Sequence, residues 1–302
     1  MNFQQLLNEI YNGNKINFSK CENLNLALNK LIKREIIERG GREKSKFLET
    51  FKRIPKLVRN PSNFYNDVKG LLGKQGYIPI IEKPFTTKSR LIVGLGSSHV
   101  LETALTLHHT YGIPYIPGSA LKGVCRAVAF WKLAEKKGIL NNEKEIKELS
   151  EKFYGKLVEN DDDILTYQLL FGTQDFRGLL LFLDAYPIIN ENTEIFELDI
   201  MNVHYPSYYG DSSGKTVPGD WENPIPIYFL TVKSGIKFNI CVLFDEFRWN
   251  KLKELEKFKN KNDVINEVEK LINGNFLEEI LKIAISQFGV GAKGRLGYGI
   301  LE

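Results

Sequence analysis

Residues 288–299 read FGVGAKGRLGYG. Gly289, Gly291, Gly294, Gly297 and Gly299 fall within eleven residues, with Lys293, Arg295 and Tyr298 among them. Glycine reaches positive φ and lets a ligand approach the backbone closely, and Lys and Arg favour phosphate. The stretch follows an amphipathic helical pattern and runs into GYGILE, which reads as a short edge strand. The sequence therefore predicts an ordered, functional loop rather than a tail. It is not a nucleotide P-loop: Gly289 to Gly294 has the spacing, but Arg295 stands where Lys belongs and Leu296 where Ser or Thr belongs. Gly94-Leu95-Gly96 lacks the third glycine of a dinucleotide fingerprint.

Working outward, Pro226–Val232 and Lys237–Phe244 read as a hairpin around Ser234-Gly235, and residues 250–287 as helix with a break at Asn273-Gly274. Leu179–Ala185 and Glu194–Met201 read as strands, Arg90–Leu95 as a buried strand, and Gly118 to about Lys137 as a helix. The stripe Leu121, Val124, Val128, Trp131 of that helix is predicted to face the core. Asp161-Asp162-Asp163 is a surface turn or the cap of the next helix. The order strand, helix, strands, helix, strand is α+β and compatible with the split βαβ of a ferredoxin-like or RRM-like domain. Residues 60–85, punctuated by Pro61, Gly70, Gly73, Gly76, Pro79 and Pro84, read as loop. They divide a mainly helical N-terminal extension, 1–85, from the main domain, 86–302.

The chain has 302 residues, 43% hydrophobic and 26% charged, which excludes a disordered or fibrous protein. Three distant cysteines, Cys21, Cys125 and Cys241, exclude a disulfide scaffold and a thiolate zinc site. The longest apolar run stops at Asp184, far short of a membrane span, and no signal peptide is evident. The expectation is a soluble, cytoplasmic protein with no membrane partner, metal or cofactor. Net charge is only +4, yet Lys30 to Arg59 holds eleven basic residues against four Glu. Such a concentration is either a nucleic-acid footprint or a solvated helix face with pairs such as Arg34–Glu38.

Two further segments bear on function. In IPYIPGSALKGVCR (113–126), Pro117 and Gly118 set a sharp turn, Ser119 is placed to cap the helix, and Lys122 and Arg126 share a face at i,i+4. A capped helix start with free amides is an anion site. The segment Val203–Pro226 carries His204, Tyr205, Tyr208, Tyr209 and Trp221, rings that stack on bases or pack against one another. His99, His108 and His109 lie in the polar 96–117 loop, either as catalytic groups of an RNA endonuclease or as ordinary hydrogen-bonding residues; their spacing is not that of a metal pair. Asp199 and Asp211 are the loop-adjacent carboxylates, and no motif selects either.

Taken together, PYIPGSALKG and FGVGAKGRLGYG resemble the RAMP superfamily of CRISPR-associated proteins. VGLGSSHVLETALTLHHTYGIPYIPGSALKG, FLDAYP and DIMNVHYPSYYG…PGDWENPIPIYFLTV are similar to the family of sixth RAMP subunits of type III-B (Cmr) effector complexes, in order over roughly residues 90–302. The resemblance implies an RRM-like domain with a C-terminal glycine-rich loop and a non-catalytic, architectural role. Implied partners are the guide RNA toward its 3′ end, target RNA, and backbone and head RAMP subunits. It implies guide-backbone contacts by Ser119, Lys122, Arg126, Lys293, Arg295 and the surrounding glycines, with the 203–226 loop in the region of a base-displacing thumb. The alternative it leaves is a RAMP endoribonuclease that processes guide precursors.

Overall fold

A computed structural model of the chain describes residues 3–13, 15–18, 21, 23–52, 61–190 and 193–302. Arg53, Ile54, Lys56 and Arg59, read above as part of the basic helical segment, lie outside the described residues. In chain order the elements are α1 (Phe3–Ile10), β1 (Tyr11–Asn12), β2 (Lys15–Ile16), α2 (Leu24–Asn29), α3 (Arg34–Arg39), α4 (Gly41–Glu49), α5 (Ser62–Lys74), β3 (Tyr77–Thr86), α6 (Gly118–Lys136), α7 (Glu143–Tyr154), α8 (Asp162–Phe171), β4 (Leu180–Phe182), β5 (Tyr186–Ile188), β6 (Phe196–Val203), α9 (Pro206–Gly210), β7 (Ile225–Val232), β8 (Lys237–Asp245), α10 (Glu246–Glu254), α11 (Asn262–Asn273) and α12 (Phe276–Ile283). Contacts group them into two units: Met1–Asn60 with Arg90–Pro114 and Ile189–Ile236, and Pro61–Ser89 with Tyr115–Ile188 and Lys237–Glu302.

The second unit is built on β8. This strand pairs antiparallel with β3 along one edge and with β4 and β5 along the other. Leu301 bridges Thr87 at the far edge of β3, also antiparallel. Taking β3, β4, β8 and the C-terminal residues as first to fourth strand, the order across the sheet is fourth, first, third, second, the connectivity of a split βαβ. β8 reads as nearly continuous apolar sequence because both its faces are covered. Cys241 and Leu243 pack under Tyr65 of α5 with Leu72, Tyr77 and Tyr186. Phe238, Ile240, Val242 and Phe244, also buried, alternate to the other face, where Phe244 meets Trp249.

The first unit centres on the β6–β7 ribbon, in register from Phe196↔Val232 to Val203↔Ile225. Leu91 bridges Val232, and Phe47 and Phe51 meet edge to face in its core. Burial falls along the ribbon: Phe196, Phe229, Leu230 and Val232 are buried at its base, while Ile200 and Ile225 are exposed toward its tip.

Several expectations change. Residues 61–86 form α5 and β3, not a loop. Gly70 and Gly73 have open space around them, and Gly76, at φ +85°, makes the helix-to-strand turn. Pro79 sits beside a shift of register, a position where strands tolerate a residue without an N–H. β7 and β8 are not a hairpin; the Ser234-Gly235 turn passes the chain from the ladder with β6 to the ladder with β3. The expected 90–95 strand reduces to one bridge at Leu91 because Gly94 turns at φ +79°. In α6 the buried positions include Leu121, Cys125, Val128, Ala129, Phe130 and Leu133, whereas Trp131 is 43% exposed. Asp161 does cap α8, accepting from the Ile164 amide at 3.1 Å.

The start of α6 is fixed by the FLDAYP segment. Ala185 and Ile116 bridge, and the Asp184 carboxylate accepts from the Gly118 amide at 2.8 Å. A Cβ at Gly118 would run into the Phe182 carbonyl. Gly118→Ala is therefore expected to cost at least about 1–3 kcal/mol through overpacking. Gly123→Ala, in open space on the same helix, is expected to be neutral or stabilising by about 0.5–1 kcal/mol. Equilibrium urea unfolding of the pair checks this; equal midpoints would remove the packing role assigned to Gly118.

Candidate nucleic-acid interface

The glycine-rich loop has a stapled neck and an open tip. α12 ends in a widened turn at Ala284–Phe288, closed by the Gly289 amide donating to Ala284 O at 3.0 Å. The Val290 amide donates to Gly299 O at 2.9 Å, and a Cβ on Gly299 would collide with the Val290 carbonyl. The Ile300 amide donates to Ser89 Oγ and the Leu301 amide to Ile285 O, and Thr86 and Glu302 exchange backbone hydrogen bonds. Gly289 and Gly299 thus serve the fold, at φ +74° each.

Beyond the neck, Gly291 lies at φ +90° and Lys293 at +60°. A single tight turn follows over Gly294–Leu296, ending at Gly297, φ +84°. Leu296 and Tyr298 donate to Lys293 O and Gly297 to Gly294 O. The amides of Gly291, Ala292, Gly294 and Arg295 donate to no acceptor among the described residues. Arg295 and Leu296 are exposed, and Lys293 lies over the Tyr298 ring at 5.8 Å. A tip with positive-φ backbone, four amides without an acceptor among the described residues and two cations is suited to a phosphate chain.

The helix start is less open than the sequence suggests. Pro117, not Ser119, is the capping position, and Asp184 already occupies the end of the helix. Ser119 is exposed on the first turn. Lys122 turns inward and donates to Leu180 O at 2.8 Å; burial, with repulsion from Arg126, Arg177 and Arg248, pushes its ammonium down to about 8. Arg126 donates to Phe153 O and stacks on Tyr154 at 4.7 Å. Asp184 escaped the sequence reading; its signal is a lone charge closing the apolar run LLLFLD.

At the ribbon tip, residues 204–224 brace themselves with carboxylates. Asp211 accepts from the amides of Ser213, Lys215 and Thr216 at 2.7–3.0 Å, and hydrogen bonding from the side chains and then the amides of Ser213 and Thr216 holds its carboxyl far below the usual range. Tyr205 donates to Asp220, and the Ser207 amide donates to Glu222. Tyr208, Tyr209 and Trp221 are left outward, Trp221 being 80% exposed, and His204 is exposed as well. Asp199 shares Arg90 with Glu197, each at 3.1 Å. Both candidate aspartates therefore have structural partners.

In the basic segment, Arg34 pairs with Glu38 at 2.6 Å, Lys46 with Glu43, and Lys33 donates to Gly13 O. Lys44 is 3% exposed and pairs with Glu102. Lys30, Arg39 and Arg42 stand exposed. Among the described residues no group of His, Cys, Asp or Glu is arranged to hold a metal ion, and no helix is long and apolar enough to cross a membrane.

The RAMP superfamily model matches residues 84–302. The chain belongs to the RAMP superfamily. It is 36% identical over 295 residues to the CRISPR system Cmr subunit Cmr6 of Pyrococcus furiosus, covering 86% of this chain and 78% of the relative. It is 23% identical to the Cmr6 subunit of Saccharolobus solfataricus, covering 91% and 80%. Among solved structures, this RAMP protein is similar to the crystal structure of Cmr6 from Pyrococcus furiosus, with 34% identity, TM-score 0.43, and 75% of this chain and 97% of that chain covered. It is also similar to a chain of the Type III-B Cmr-beta complex bound to cognate target RNA, with 20% identity and TM-score 0.49; the match covers 81% of this chain and spans 65% of that one.

Two histidines of this RAMP chain, His99 and His108, accept from amides of their own turns. His108 Nδ1 accepts from the Thr110 and Tyr111 amides at 3.2 Å, and its ring packs on Tyr111. His109 is exposed. His99 Nδ1 accepts from the Leu101 amide, and its buried Nε2 lies near the Leu28 backbone without closing a hydrogen bond. Burial, aided by Lys44, lowers the His99 pKa below 6.5. An imidazole that resists protonation when folded stabilises fully above about pH 6.5, and that contribution is lost as pH falls through the folded pKa. The thermal midpoint should thus drop on acidification below pH 6.5, with a shallower drop in His99→Gln. Identical slopes would show that His99 carries none of the acid sensitivity.

Proposed function

We propose that this RAMP chain is a non-catalytic RNA-binding subunit of a type III-B CRISPR ribonucleoprotein. In this reading it holds guide RNA toward its 3′ end, lies against target RNA, and contacts backbone and head RAMP subunits. The observation that carries it is the tip of the terminal loop, rigid at the neck and open at the amides, in a chain 36% identical to a Cmr6 subunit. Gly291, Lys293, Gly294, Arg295, Gly297 and Tyr298 meet the sugar–phosphate backbone, and exposed Ser119 on the first turn of α6 offers a further contact. Lys122 and Arg126, held by carbonyls, contribute potential more than direct contacts. Gly289 acts through the neck. Tyr208, Tyr209, Trp221 and His204 offer rings to bases; Tyr205 positions Asp220. Exposed Lys30, Arg39 and Arg42 of the 1–85 extension are cations of the first unit.

Binding through amides and cations reads phosphates, not base edges. Affinity for single-stranded RNA should be tolerant of sequence, with log K falling by about 0.7 per neutralised phosphate per decade of salt. Gly291→Val with Gly297→Val should abolish guide retention while leaving the core folded, with at most a drop of a few degrees in melting temperature: Gly297 has open space around it, and strain of order 1 kcal/mol or more falls on the tip. Lys293→Ala and Arg295→Ala should each weaken binding modestly. Gly299→Ala, at the neck, should lower the melting temperature instead. Full guide retention by the double Val variant would overturn the reading. No cleavage of labelled precursor or target RNA is expected, with or without Mg²⁺; site-specific cutting lost in His108→Ala would favour guide processing.

A further inference from the structure

In the second unit two arginines, Arg177 and Arg248, share one buried carboxylate, and both act on the nearby Lys122. Asp245 is 3% exposed. Its Oδ1 accepts from the Arg248 amide at 3.0 Å and its Oδ2 from Arg177 Nη2 at 2.9 Å. Arg177 also donates to the Tyr77 hydroxyl. Arg248 Nη2 donates to Arg177 O at 2.9 Å, but its Nη1 stands 3.7 Å from Asp245 Oδ2. That nitrogen is buried with no hydrogen-bond partner, and Arg126 Nε is in the same condition. Lys122 donates to Leu180 O, on the residue paired with Phe244, next to Asp245. No carboxylate pairs with Lys122 among the described residues.

The surroundings hold this charge in place. Gly172 and Gly178 close the 172–178 loop: a Cβ on Gly172 would come 2.7 Å from the Gly178 amide nitrogen, and one on Gly178 2.5 Å from that of Gly172. The Thr173 amide donates to Phe176 O, and the Phe176 ring lies under the Arg248 guanidinium at 5.4 Å. Asp175, in the same loop, is engaged elsewhere, accepting from Thr173 Oγ1 and the Leu157 amide. Arg177 is 68% exposed in its side chain and leaves the cluster open to solvent.

We propose that Lys122, Arg177 and Arg248 form a phosphoryl-anion site at the 172–178 loop, distinct from the glycine-rich tip. One carboxylate cannot balance Lys122, Arg177 and Arg248 together, and a bound anion relieves their repulsion. Two guanidinium forks and an ammonium match the oxygens of a phosphate group. Burial first, and then repulsion from Arg126, Arg177 and Arg248, lowers the Lys122 pKa. The site stands whether or not the glycine tip cradles RNA.

Inorganic phosphate, exchanged for chloride at constant ionic strength, tests it on the full chain. Calorimetry should show one phosphate per chain and a melting temperature that rises with phosphate. Arg177→Gln and Arg248→Met should each weaken phosphate binding about tenfold or more, as expected for a lost charged hydrogen bond. The Gly291→Val, Gly297→Val protein should bind phosphate like the parent. Arg177 is exposed, so its variant reports even if Arg248→Met unfolds early. Competition by single-stranded RNA would identify the anion as a backbone phosphodiester; simultaneous binding would identify a free phosphate species, and either upholds the site. Absence of phosphate binding by the parent, or parent-like affinity in a folded Arg177→Gln protein, would overturn it.

Discussion

The backbone pairing of Glu302 with Thr86, at 2.6 and 2.9 Å, is the constraint on which the terminal loop depends. It makes the chain's end the fourth strand of a sheet whose centre is β8. The return from α12 to that strand must then be made within the few residues after Gly289. Hydrogen bonds at Val290, Ile300 and Leu301 fix both ends of the excursion. A loop held this way has little conformational entropy left to lose on binding, which is how preorganisation raises affinity without added contacts.

How legible this was depended on distance along the chain. The loop, α6 and the break at Asn273-Gly274 were readable because their signals are local: glycine spacing, helical periodicity, a breaker. The occupied end of α6 was not, since Asp184 comes from 66 residues away and only the fold brings it to Gly118. The inward turn of Lys122 and Arg126 was hidden for the same reason; i,i+4 spacing gives a shared face but not what covers it. α5 and β3 were misread because Gly70 and Gly73 sit on an open face, where a missing side chain costs little, and because Pro79 coincides with a register shift. Pairing β7 with β8 across Ser234-Gly235 followed proximity in sequence, whereas β7 completes a ribbon begun by β6.

Charge tells a similar story. The basic stretch after Lys30 looked like a uniform footprint, yet several of its cations are paired with acids of their own helices, and Lys44 is buried against Glu102. Ion pairs on a surface add little stability, but they do reduce the charge available to an anionic partner. The informative cations lie elsewhere: Arg295 is exposed at the terminal tip, and Arg177 and Arg248 share the single carboxylate of Asp245.

The ribbon tip shows the opposite arrangement. Asp211, Asp220 and Glu222 are turned onto the loop's own donors, so their negative charge is engaged in holding the loop's shape. With one lysine, Lys215, against three carboxylates, this loop is poorly suited to attract a phosphate chain. What it exposes is aromatic area, which attracts bases through stacking and is indifferent to sequence because every base has a π-face. The glycine tip with its two cations and the exposed rings of the β6–β7 tip thus belong to different units of the chain. A charge added to the glycine tip should change the salt dependence of RNA binding. Loss of the Trp221 or Tyr209 ring should lower affinity while leaving that dependence as it was, because stacking releases no counter-ions.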